Sequence, residues 1–173
     1  MSIPLYNFLD VADGLQENQF GIGHRTAINS LDDLDPIYKR LLDEPVTGVF
    51  SVIAPDGRPS LTPMWFDYDR DKVLVNVAAH RKKTGWIKAS PELSLILVNP
   101  ENAYHWVSMK ITVEREIHED DPAEANRAAD QVDKIWRKYT GDEGVYGLRD
   151  PAGHERRILF ECRVDKVSTF GKP

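Results

Sequence analysis

Between Asp71 and Glu92 the chain carries no acidic residue, and Lys72, Arg81, Lys82, Lys83 and Lys88 all fall in that gap. The centre of the stretch is Ala78-Ala79-His80-Arg81-Lys82-Lys83-Thr84-Gly85-Trp86-Ile87-Lys88, which follows a strand-like run and opens a helix-like one. Three adjacent cations at a helix N-terminus oppose the helix dipole, each by about 0.3–1 kcal/mol. A bound anion removes that conflict, because unpaired amide N–H groups and the positive dipole end already form a phosphate site. Lysine and arginine then add charge-assisted hydrogen bonds. On charge alone, a phosphate-binding turn and a solvated basic turn are equal readings.

Other chemistry is harder to find. His24, His80, His105, His118 and His154 lack the short spacing of a metal pair, so no metal site is expected. Cys162 is the single cysteine, which excludes an intramolecular disulfide and a cysteine zinc site. Gly21-Ile22-Gly23 has neither a preceding strand nor the third glycine of a dinucleotide loop. No Gly-x-Ser-x-Gly elbow or Gly-Lys-Ser phosphate loop occurs. No catalytic residue can be named.

The elements that must position the basic stretch are mostly strands. Asp35 and Pro36 cap and start a short helix to Asp43, with Leu34, Ile37, Tyr38, Leu41 and Leu42 on its apolar face. Strands are expected over Val46–Ala54, Ser60–Tyr68 and Lys72–Ala78, joined by Pro55-Asp56-Gly57-Arg58 and Asp69-Arg70-Asp71 into an antiparallel meander. A helix over Arg81–Ala89 stops at Ser90-Pro91. The nearly all-apolar Leu93–Asn99 suggests a strand buried on both faces. Tyr104–Ile117 alternates as a long half-exposed strand. Pro122–Thr140 is the clearest helix, with Asp121 as its cap and Gly141 after its end, and a final strand spans Arg157–Ser168. Residues 1–29 read as an arm, where Leu5, Phe8, Leu9, Val11 and Leu15 could form a docking helix, and 30–173 as one domain.

Bulk properties set limits. A chain of 173 residues fits one domain, and 41% hydrophobic with 29% charged residues argues against disorder. The net charge of −6 argues against a general nucleic-acid binder, which needs a broad basic face. The N-terminus lacks a signal-peptide pattern and no apolar run approaches a membrane span, so a cytoplasmic location is expected.

Strand, turn and strand, then Val75-Asn76-Val77-Ala78, the basic pair Lys82-Lys83, Ile87 and Pro91 together resemble the pyridoxamine 5′-phosphate oxidase-like split-barrel superfamily. Pro55-Asp56-Gly57-Arg58-Pro59-Ser60-Leu61-Thr62-Pro63-Met64-Trp65-Phe66-Asp67 is similar to a run in its deazaflavin (coenzyme F420) branch, as are Tyr139-Thr140-Gly141 and Glu155-Arg156-Arg157. The likeness covers about residues 35–168. It implies a mainly β split barrel with helices, a homodimer with the coenzyme between two barrels, and an oxidoreductase using F420 or, alternatively, FMN. It also implies roles for particular residues. Thr62, Pro63, Met64 and Trp65 would flank the ring, Asn76, Val77 and Ala78 would lead to the phosphate, and Arg81, Lys82 and Lys83 would bind it. Two departures touch the ring and ribityl contacts: Ala79-His80 stand where the branch has glycine, and Val77-Ala78 replace a Thr-Thr-like pair.

Within this resemblance the favoured reading is reduction of an unsaturated or quinone-like small molecule, with Arg81 and Lys88 leaning toward the longer, anionic F420 tail. A carrier without turnover is a further alternative. Authentic pyridoxamine 5′-phosphate oxidase activity is not expected, because Arg163-Val164-Asp165-Lys166-Val167 does not match its substrate-phosphate residues.

Overall fold

A computed structural model describes residues 2–9, 21–149, 152 and 155–173, with the side chain of Ala125 excepted. Nine strands and three α-helices follow in chain order among them: β1 (Ile3–Leu9), β2 (Gly21–Ile28), α1 (Pro36–Asp43), β3 (Gly48–Ile53), β4 (Pro59–Met64), β5 (Asp67–Asp69), β6 (Lys72–Ala78), α2 (Lys82–Ala89), β7 (Glu92–Asn99), β8 (Asn102–His118), α3 (Ala125–Thr140) and β9 (Arg157–Phe170).

The strands form one open mixed sheet ordered β2-β1-β9-β8-β7-β3-β4, with β6 also on β9 and β5 on β6. β9 organises the sheet. One edge pairs with β8 along most of its length, while the other carries β6 against Arg157–Arg163 and then β1, in parallel, against Val167–Phe170. At β9 the sheet therefore divides into two arms. Phe50, Phe66, Leu95, Leu97, Met109, Ile111 and Phe160 are fully buried in the main core. Fully burying one such side chain contributes about 1.5–3 kcal/mol.

Local chemistry explains most of the boundaries. Asp35 Oδ1 accepts the Ile37 amide at the start of α1, and Pro36 occupies the first turn. Gly141 ends α3 with φ +72°, the left-handed conformation in which glycine carries no Cβ penalty.

Several expectations need correction. Residues 3–9 are a strand rather than a docking helix, because their backbone pairs with both β2 and β9; Val11 and Leu15 lie outside the described residues. Gly21-Ile22-Gly23 likewise belongs to β2. The single strand expected over Ser60–Tyr68 breaks at Trp65-Phe66, so β4 pairs with β3 while β5 pairs with β6. The simple meander is broken there, because the chain crosses between distant parts of the sheet and buries Phe66 on the way. β7 is not buried on both faces: Leu93, Leu95 and Leu97 face the core, Ile96 and Val98 are half-buried, and Ser94 is exposed. α3 begins at Ala125, not Pro122, because Asp121 caps a preceding turn by accepting the Ala123 amide. No helix of the described residues is long and apolar enough to cross a membrane.

Candidate functional site

The basic trio stands on the turn from β6 into α2. Arg81 is the helix N-cap, its side chain caps nothing, and the first turn contains no acidic residue. Two bonds hold the turn in place. The buried Thr84 hydroxyl donates to the Ala78 carbonyl at 3.0 Å, and the Ala79 amide donates to the Arg156 carbonyl at 2.8 Å. Arg81 and Lys82 are exposed, while Lys83 is half-buried with Nζ 3.2 Å from the Met64 sulfur. Burial first, then the charges of Arg81 and Arg157, push the Lys83 ammonium below the usual lysine range.

The other cations of the acid-free stretch are neutralised. Lys88 pairs with Glu116 at 2.7 Å and Lys72 with Glu114 at 2.9 Å. Arg81, Lys82 and Lys83 pair with no carboxylate among the described residues. Three uncompensated cations at a helix start, one of them half-buried beside two guanidinium groups, favour an anion.

Beside Lys83 lies a pocket of about 320 Å³. β4 and the segment after it contribute Pro63, Met64 and Trp65; α3 contributes Val132 and Ile135; the following loop contributes Tyr146 and Leu148. Thr47, Asn76 and Arg157 complete the lining. The pocket thus sits where β4 and β6 approach each other without a hydrogen-bonded ladder among the described residues.

Two networks make the pocket rigid. The buried Arg157 donates from Nε to Asn76 Oδ1 at 2.8 Å, from Nη2 to the Asn76 carbonyl at 3.0 Å and from Nη1 to Glu155 at 2.6 Å. Its guanidinium lies 5.1 Å from the centre of the Tyr146 ring. Asn76 in turn donates to the Ala128 carbonyl at 2.8 Å, tying β6 to α3. On the other side, Trp65 stacks on Tyr139 at 5.0 Å and 11°, and leans on Trp136 at 6.2 Å. Trp136 meets Tyr146 edge-on at 5.8 Å, and the Tyr139 hydroxyl donates to the Val46 carbonyl at 2.8 Å.

Of the residues proposed from sequence, the structure brings Pro63, Met64, Trp65 and Asn76 to one pocket, and Lys83 joins them through Met64. Arg81 and Lys82 stand on the adjoining turn. Thr62 is half-buried opposite Phe50 on β3 and does not line the pocket. Val77 and Ala78 are buried and also stay outside the lining. Tyr146, Val132 and Ile135 were given no site role from sequence, and Arg157 entered only through the Glu155-Arg156-Arg157 likeness. Arg157 also opens the apolar run Ile158-Leu159-Phe160, which suggests a buried charge with dedicated partners.

The chain belongs to the pyridoxamine 5′-phosphate oxidase family, whose sequence model matches residues 34–171. Among solved structures it is similar to an F420 reductase, at 24% identity and a TM-score of 0.61 over 78% of this chain and 98% of that one. It is also similar to the heme storage protein HutZ from Vibrio cholerae, at 16% identity and a TM-score of 0.54 over 78% and 92%. A FAD-binding protein from Mesorhizobium loti is 18% identical with a TM-score of 0.51, again over 78% and 92%. Identities this low speak for the fold. No curated protein matches the chain.

Proposed function

We propose that this chain forms a homodimer that holds a phosphorylated deazaflavin, coenzyme F420, and passes hydride between it and a small organic molecule. The observation that carries this reading is the uncompensated trio Arg81, Lys82 and Lys83, connected through the Lys83–Met64 contact to an aromatic-lined pocket. A phosphate fits the turn, because the cations there lack carboxylates and the helix N-terminus lacks a side-chain cap.

When bound, the coenzyme supplies the hydride chemistry. Arg81, Lys82 and Lys83 would hold its phosphate. Pro63, Met64 and Trp65 would flank the ring, with Thr62 adjoining them and the β6 segment Asn76, Val77 and Ala78 leading to the phosphate. Trp65, Val132 and Ile135 would keep water from the ring. The match to an F420 reductase fold supports the deazaflavin form, and we place the activity in the cytoplasm.

One observation favours FMN as the second reading. Lys88, an argument for the longer and more anionic tail, is engaged by Glu116 and leaves fewer free cations for it. A flavin carrier without turnover is a third reading, consistent with the heme storage protein sharing this fold. The deciding experiment titrates the protein with F420 and with FMN in parallel, following tryptophan fluorescence, and then offers the reduced coenzyme a substrate panel. Tight F420 binding with substrate-dependent oxidation supports the proposal. Preference for FMN selects the second reading, and binding without turnover the third.

A further inference from the structure

We infer that Arg157 receives the carbonyl edge of the coenzyme ring and, through that contact, favours the reduced over the oxidised coenzyme. This rests on the functional reading above and adds to it a residue whose effect depends on redox state. Arg157 lines the pocket of about 320 Å³ and is the one charged side chain that does so among the described residues. Its guanidinium carries five N–H groups. Three are taken, by Asn76 Oδ1, the Asn76 carbonyl and Glu155. The other two have no acceptor among the described residues, on a residue left 8% exposed in the pocket wall. A ligand presenting acceptor atoms to that wall completes the set.

The surroundings fix that donor in place. Asn76 accepts from Arg157 and donates to the Ala128 carbonyl at 2.8 Å, so β6 and α3 together set the guanidinium orientation. The Tyr146 ring covers the guanidinium at 5.1 Å. A cation held this way needs no rearrangement when negative charge arises beside it. Reduction supplies that charge. A hydride taken from the organic substrate brings two electrons and one proton, so the ring gains one negative charge, which resonance places on its N1 and C2 carbonyl edge. Arg81, Lys82 and Lys83, on the adjoining turn, face a phosphate whose charge is the same in both redox states. They therefore set the affinity, and Arg157 sets the difference between the two states. Glu155, itself 9% exposed, shares the charge of Arg157 and moderates that difference.

The test measures affinities for oxidised and reduced F420, and for oxidised and reduced FMN, by anaerobic fluorescence titration. Wild-type protein should bind the reduced form about tenfold more tightly. Glu155→Gln keeps the side-chain shape and frees Arg157 from its counter-charge, so the preference should grow. The double variant Arg157→Met with Glu155→Gln removes the pair without orphaning a carboxylate, and the preference should disappear. Lys82→Ala, exposed on the adjoining turn, should weaken both forms equally and keep their ratio. Absorbance gives a second readout, the pH at which the bound reduced coenzyme takes up its N1 proton. That pH should be lower in Glu155→Gln than in the wild type. Equal affinities for the two redox states in the wild type, or a preference that Glu155→Gln leaves unchanged, would overturn the inference while the functional reading stands. Failure to bind either coenzyme in either state would overturn both.

Discussion

Replacing Lys83 with methionine should move coenzyme affinity and protein stability in opposite directions. The Lys83 ammonium is half-buried, is repelled by the like charges of Arg81 and Arg157, and has no carboxylate partner among the described residues. Its pKa is held below the value of the unfolded chain, near 10.4, first by burial and then by those two guanidinium groups. A lysine with a depressed native pKa costs the fold stability while it is protonated, and the cost fades as pH rises through the native value. The full cost is present at pH values below the native one. Half exposure lets solvent screen it, so its removal should stabilise the apoprotein by only about 0.5 kcal/mol, or about 1–2 °C in Tm. Methionine keeps a chain of similar length against Met64. Binding should change the other way. Loss of one charge-assisted hydrogen bond to phosphate costs about 1.5–3 kcal/mol, a rise in Kd of about 10- to 150-fold. Fluorescence titration gives the affinity and thermal unfolding without ligand gives the stability. If Lys83→Met lowers the apoprotein Tm by several degrees, or leaves Kd unchanged, Lys83 is a packing residue and the electrostatic reasoning fails.

Four further outcomes are expected. Phe66→Ala should cost about 3–5 kcal/mol in chemical denaturation, since Phe66 is fully buried, meets Phe50 edge-on at 6.4 Å and carries the Lys138 ammonium 4.8 Å above its ring. Gly171→Ala should cost more than about 2 kcal/mol by the same measurement, because the backbone has φ +71° and a Cβ there would meet the Tyr104 carbonyl oxygen at 1.8 Å. For Glu119, burial raises the pKa, but the Arg149 ion pair and the Arg157 amide outweigh it and hold the carboxyl below its ordinary value. The resulting stability is present above the unfolded value, about pH 4.3, and lost as pH falls through the lowered native value. Urea unfolding of Glu119→Gln from pH 7 to pH 3 should show that extra acid sensitivity removed. Burial pushes the Cys162 thiol up to about 12, so iodoacetamide at pH 8 should label it only after denaturation.

Much of this molecule is legible along the chain. Asp35-Pro36 starts α1 and Gly141 ends α3 because caps and left-handed turns depend on neighbours within a few residues. The alternation of β8 and the basic turn before α2 are equally local. That Arg81, Lys82 and Lys83 lie at a helix start followed from composition and order, since a helix N-terminus is a local object with a known field.

Long-range geometry decided the rest. Nothing local announces that the chain breaks at Trp65-Phe66 to pair β5 with β6, because strand pairing is settled by what else can cover Phe66. Leu5, Phe8 and Leu9 read as part of a docking helix by their apolar residues, and only pairing with β2 and the edge of β9 makes Ile3–Leu9 a strand. Lys72, Lys82, Lys83 and Lys88 look alike in sequence, yet Glu114 and Glu116, distant in the chain, neutralise Lys72 and Lys88 and leave the other two open. Arg157 lines the pocket only because β9 lies against β6 and brings Asn76 within reach of its guanidinium. Residue types and local order set the caps, the turns and the cationic helix start, since their energies act within one turn of backbone. Which cations stay free, and which aromatic rings share a wall with them, depends on contacts across tens of residues that only the folded sheet establishes.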